Sequence, residues 1–216
     1  TQLRVRQMVH ELVALGRTPD AGTAWQRLAA ADRITSAGMW LVAHMTYSQR
    51  VRTDGAALEV DDFKTTPEGH TGGSLNMVPA YAGYLLMDSL DGVTRAWMMG
   101  QGHCVAAIDA LNVLVGNMTD RHAERYDRTG EGLSRFVSDF YAYPLNPDGT
   151  PASPLGSHVN AHTAGGVMED GYLGLSELQY VHAPLKDERL VAFLSDGAVE
   201  EQRGREVLYG LAAELV

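Results

Sequence analysis

One repeated junction restricts the fold of this chain most. A short apolar segment ends at a glycine-bearing turn, and an apolar helix follows. Arg95–Met99 runs into Gly100-Gln101-Gly102 and then a helix to about Val115; Leu190–Leu194 breaks into Ser195-Asp196-Gly197 before more helix. A further Gly-rich turn, Gly69 to Gly73, opens a helix from about Leu75 to Leu90, and Gly171–Val181 reads as helix after an irregular passage at 144–166. Strands that alternate with helices pair in parallel, because each crossover lays a helix over the sheet. The expected fold class is therefore α/β: a three-layer α/β/α arrangement with a mainly parallel sheet. In such a sheet ligands bind outside the carboxyl ends of the strands, where these turns gather.

Residues 1–50 read as N-terminal helices packed on that domain, and 51–216 as the α/β domain itself. The first helix, over 2–15, carries Leu3, Met8, Leu12 and Leu15 near one face and stops at Gly16. The second runs from about Ala24 to Tyr47 with Thr23 as its cap, and its continuous apolar character predicts burial on more than one side. Arg50 to Gly69 is polar, with Glu59, Asp61 and Asp62, and reads as a connection.

Composition narrows the function. The 216 residues suffice for one sizeable core, and no apolar run approaches the length of a membrane span. The N-terminus lacks the uninterrupted apolar core of a signal peptide, and Cys104 is the sole cysteine, so no internal disulfide forms and the cytoplasm is the expected location. A net charge of -10 argues against a nucleic-acid surface, which needs clustered Lys and Arg. It leaves room for an anionic small ligand, since backbone N–H groups and a bound cation can hold a diphosphate.

Three turns pair histidine with glycine: Gly69-His70-Thr71-Gly72-Gly73, Gly100-Gln101-Gly102-His103 and Gly156-Ser157-His158. Glycine lets backbone approach a ligand closely, and histidine gives or takes a proton near neutral pH. A single such histidine is most often only solvated; three at sheet edges point to a site. The spacing of His70, His103 and His158 fits no compact zinc motif. In the fourth turn, Asp196 leaves the end of a strand, which suits Mg²⁺, while Gly197 and Ala198 start a helix that could accept a diphosphate. Ser-Asp-Gly is also a common turn and helix cap. Gly171-Tyr172-Leu173-Gly174 opens another helix and either cradles phosphate oxygens or permits tight helix packing.

Read in order, the segments EGHTGGSLNMVPAY at 68–81, MGQGHCVAA at 99–107, GSHVNAHTAGGVMEDGYLGLSELQ at 156–179 and LVAFLSDGAVEEQRG at 190–204 resemble the N-terminal region of phosphoketolases. The resemblance starts near Trp25 and reaches about Gly204. It implies the thiamine-diphosphate-binding fold of transketolase-like enzymes and the cofactors thiamine diphosphate and Mg²⁺. It implies catalytic roles for His70, His103 and His158, cofactor contacts at Gly102, Gly171, Tyr172, Leu173, Gly197 and Ala198, and a metal ligand at Asp196. The implied reaction cleaves a C–C bond of xylulose 5-phosphate or fructose 6-phosphate and, with inorganic phosphate, gives acetyl phosphate and an aldose phosphate. The implied partner is a pyrimidine-binding domain or subunit carrying the catalytic Glu, in a homodimer or larger oligomer. The sequence departs from the pattern at Ser195 for Gly, at Cys104-Val105 for Gly-Gly, and at Gly83 for a histidine, and no Asn follows Asn160. The alternative is a truncated or divergent domain with an assembly role, or with a transketolase-like or epimerase-like reaction.

Other residues read as structural. Cys104, at the start of an apolar helix, is expected to be a small buried residue rather than a nucleophile. Met98, Met99 and Trp25, Trp40 and Trp97 read as core; His162 reads either as assisting the site or as facing solvent; Glu200 and Glu201 either bond a cofactor-binding group or a dimer partner or simply suit a first helical turn; His10, His44, His122 and His182 have no motif around them.

Overall fold

The computed structural model of the chain describes residues 2–93, 95–99, 104–142, 144–150, 152 and 189–193. The elements are α1 (Gln2–Ala14), α2 (Ala21–Tyr47), α3 (Thr71–Asp91), β1 (Arg95–Met99), α4 (Ala106–Val115), α5 (Asp120–Arg125), α6 (Gly130–Asp139) and β2 (Arg189–Phe193), with a 3-10 turn at Val60–Asp62.

The expected three-layer parallel sheet is not what these residues build. The described fold is helical, and its strand pairing is one two-stranded parallel ladder that sets Arg95 opposite Arg189 and Met99 opposite Phe193. The reason is where apolar surface is buried. Leu41, Val42 and Met45 of α2 meet Met77, Val78 and Tyr81 of α3 and Ala107, Ile108 and Leu111 of α4, so helix packs on helix instead of on a sheet face. Gly38 lies at that crossing: a Cβ there would stand 2.8 Å from Leu111 Cδ2 and 3.0 Å from Val78 Cγ1, closer than packed carbons tolerate. Phe136 and Val137 of α6, with Phe140 at its C-cap, close the core.

Each helix start has a local cause. Asp20, not Thr23, caps α2: its carboxylate accepts from Thr23 N at 2.8 Å, and the helix begins three residues before the expected point. Thr119 and Thr129 cap α5 and α6 through Oγ1. Helix α2 buries one side only. Trp25 is 44% exposed and Trp40 38%, as is Trp97 of β1, so the three tryptophans are not core residues. Leu3 and Leu15 of the first helical segment are exposed as well, and Val9 is the residue of α1 that is buried.

The polar stretch after α2 is fixed from inside. Asp62, 2% exposed, accepts from Arg52 Nε and Nη2 at 3.0 and 2.8 Å and from Glu59 N at 3.0 Å. At the far end of α3, Arg95 donates to Asp88, to Asp91 and to Val93 O, while Tyr84 OH donates to Arg95 O at 2.7 Å. Phe193 of β2 packs against Tyr81, Tyr84 and Trp97, which joins the ladder to α3.

Candidate functional site around His70

His70 is the N-cap of α3. Its Nδ1 accepts the N–H of Gly73 at 3.1 Å, and the imidazole is exposed. An N-cap acceptor must present a lone pair, so the neutral ring carries its proton on Nε2, which remains outside the cap bond. The cap thus selects a tautomer and aims one N–H away from the helix.

Four neighbours hold the turn. Thr71 Oγ1 donates to Thr46 Oγ1 at 3.1 Å and lies 3.4 Å from Tyr47 OH, which docks the start of α3 on the end of α2. Gly69 takes φ +126, where L side chains are strained, and a Cβ there would fall 2.5 Å from Cε2 of Tyr141. Tyr141 itself has φ +63, an uncommon state for a residue with a side chain, directly beyond the end of α6. Lys64 Nζ donates to Met45 O at 2.7 Å and to Phe140 O at 3.0 Å, tying the segment before His70 to both helices.

Under the cap lies Cys104. A Cβ on Gly73 would collide with His70 Nδ1 and stand 2.6 Å from Cys104 Sγ, so the start of α3 packs directly on Cys104. Burial pushes the Cys104 thiol up to about 11, which keeps it protonated near neutral pH and bears out its reading as a small packed residue. His44 and His122 are packed residues too. His44 sits edge-on to Trp40 with Nδ1 3.0 Å from Ser48 Oγ, His122 lies against Tyr126, and burial lowers the pKa of each.

Of the expected site residues, His70 is described. His103, His158, Gly102, Gly171, Tyr172, Leu173, Asp196, Gly197 and Ala198 lie outside the described residues. Among the described residues no group of three or more His, Cys, Asp or Glu could hold a metal ion, so a cation site is not formed by this part alone. What this part offers a cofactor is an oriented, exposed imidazole with a closely packed, uncharged floor. Such an imidazole suits hydrogen-bond donation to a bound ligand. Sequence reasoning missed Lys64 and Tyr141, whose roles depend on contacts between distant segments. One signal was available for Lys64: the chain has two lysines, Lys64 and Lys186, against fifteen arginines.

Residues 24–204 match the XFP N-terminal domain, and the chain belongs to that family. It is also similar to a probable phosphoketolase of Schizosaccharomyces pombe, 28% identical over 149 residues. That match covers 69% of this chain and 17% of the relative's length. No solved structure matches the chain. Among the described residues no helix is long and apolar enough to cross a membrane.

Proposed function

We propose that this chain supplies the diphosphate-gripping part of a thiamine-diphosphate-dependent, phosphoketolase-like enzyme acting on ketose phosphates. The observation that carries the reading is the coincidence of the family match over residues 24–204 with an oriented imidazole at His70, the first of the three histidines expected to be catalytic. Xylulose 5-phosphate or fructose 6-phosphate, with inorganic phosphate, would yield acetyl phosphate and a shorter aldose phosphate.

Thiamine diphosphate, when bound, supplies the carbanion chemistry that breaks the C–C bond. The chain's own residues bind, orient and move protons. His70 presents Nε2–H as a hydrogen-bond donor to charge that develops on the substrate, and His103 and His158 carry the proton traffic. Gly102, Gly171, Tyr172, Leu173, Gly197 and Ala198 would hold the cofactor through backbone N–H groups, and Asp196 would hold Mg²⁺ beside the diphosphate. A pyrimidine-binding domain or partner subunit completes the site in a dimer or larger assembly.

Calorimetric titration of the chain with thiamine diphosphate in Mg²⁺ tests this reading. Binding that disappears in Asp196→Ala is the expected result. A wild-type chain that takes up no cofactor at millimolar concentration would instead mark a divergent domain kept for assembly.

A further inference from the structure

Lys64 has a chemistry that the proposed reaction does not use. Its amine is held by two backbone carbonyls, Met45 O and Phe140 O, and beside it opens a cavity of about 310 Å³ with Gln49, Thr65, Thr66, Glu68 and Ser138 on its polar side and the 140–142 segment on the other. Two acceptors match the two N–H bonds of a neutral amine and leave its lone pair outside them. No third hydrogen bond from Nζ to a described residue accompanies these two. Burial pushes Lys64 down to about 8, against the charge of Glu68, which favours the ammonium. At neutral pH this leaves roughly a hundredfold more neutral amine than an ordinary lysine has. One of the chain's two lysines, against fifteen arginines, which do not lose their proton, stands at this cavity.

We propose that Lys64 is an acylation site for an acyl phosphate. Its Nζ attacks the carbonyl carbon, the bond from that carbon to the bridging oxygen breaks, and phosphate leaves with the electron pair and the proton lost from nitrogen. The product is an amide. The choice of acyl phosphate rests on the proposed reaction, which releases one; the reactive amine and its cavity do not. An aldehyde would give an imine, and hydroxyl- and carboxylate-lined walls keep water present to reverse it, whereas an amide persists. The amide retains one N–H, so Met45 O or Phe140 O loses its donor. The segment from Lys64 to the His70 cap is then released at one anchor, and accumulated product would restrain its own formation.

The test uses the intact chain, acetyl phosphate and no thiamine diphosphate, with site-resolved mass spectrometry comparing Lys64 and Lys186 at pH 7.5. Lys64 should acetylate at least about tenfold faster than Lys186. The preference should vanish in concentrated urea, and the mark should be absent in Lys64→Arg. Amide hydrogen exchange over 64–73 should rise in the acetylated protein. Equal rates for the two lysines in the folded chain, or a preference that survives urea, would overturn the site; unchanged exchange would overturn its link to His70. Because no cofactor is added, this outcome is independent of the calorimetric one: either can fail while the other stands.

Discussion

His70 caps α3 and, in the proposed function, also donates to the substrate, and substitution can separate the two. His70→Ala removes both the cap acceptor and the Nε2–H donor of the proposed site, whereas His70→Asn restores a good cap and removes only the imidazole. Urea unfolding should show a loss of about 1 kcal/mol for Ala and within about 0.5 kcal/mol of wild type for Asn. In the assembled enzyme both should lower kcat by on the order of a hundredfold. Gly69 offers a second test at this scale. Gly69→Ala meets both an adverse φ and the Tyr141 ring, and should cost roughly 1–3 kcal/mol. Adding Tyr141→Ala to that variant should relieve the steric part and leave the backbone part, so the double-mutant cycle returns a nonzero coupling.

Among the elements, the join of α3 to β1 depends on Arg95, whose side chain is 5% exposed and pairs with Asp91 at 2.5 Å. The hydrogen bond from Arg95 holds the Asp91 carboxyl down to about 2, below its ordinary value. A depressed carboxylate stabilises above its unfolded pKa and loses that contribution as pH falls through the folded one. Asp91→Asn should therefore cost roughly 2 kcal/mol at pH 7, and its difference from wild type should shrink between about pH 4 and pH 2 in urea titrations. This scale also shows what was legible beforehand. β1 was readable to the residue and the end of α3 to within one, because Gly punctuation and apolar length marked them, whereas α3 starts at Thr71, a full turn before the expected Leu75. α5 and α6 were not read at all. Glycines at 130 and 132 weaken the helix signal, and α6 forms because Leu133, Phe136 and Val137 find the core. The tryptophans misled because hydrophobicity alone does not say which side of α2 faces inward. The place of His70 at the start of α3 was legible from its Gly-rich turn. Lys64 was not, since a lysine in a polar stretch reads as solvated until two distant carbonyls close on it.

For the molecule as a whole, the helical core explains why the sheet expectation was too broad. Two strand-like segments were extended into a full sheet, while the longest apolar runs were already pairing among α2, α3 and α4. Global stability should also carry the mark of Lys64. Its folded pKa of about 8 lies below its unfolded value, so the unfolded chain binds the extra proton and stability rises with pH between the two. Compared with Lys64→Met, in which nothing titrates there, wild type should gain in urea midpoint from pH 7.5 to pH 10. A flat difference would mean that the amine is charged in the native state. Finally, the ladder joins residue 95 to residue 189, with α4, α5 and α6 on the chain between. A single proteolytic cut anywhere in that interval puts β1 and β2 on separate polypeptides. The fold then becomes a bimolecular association, with a melting temperature that rises with protein concentration.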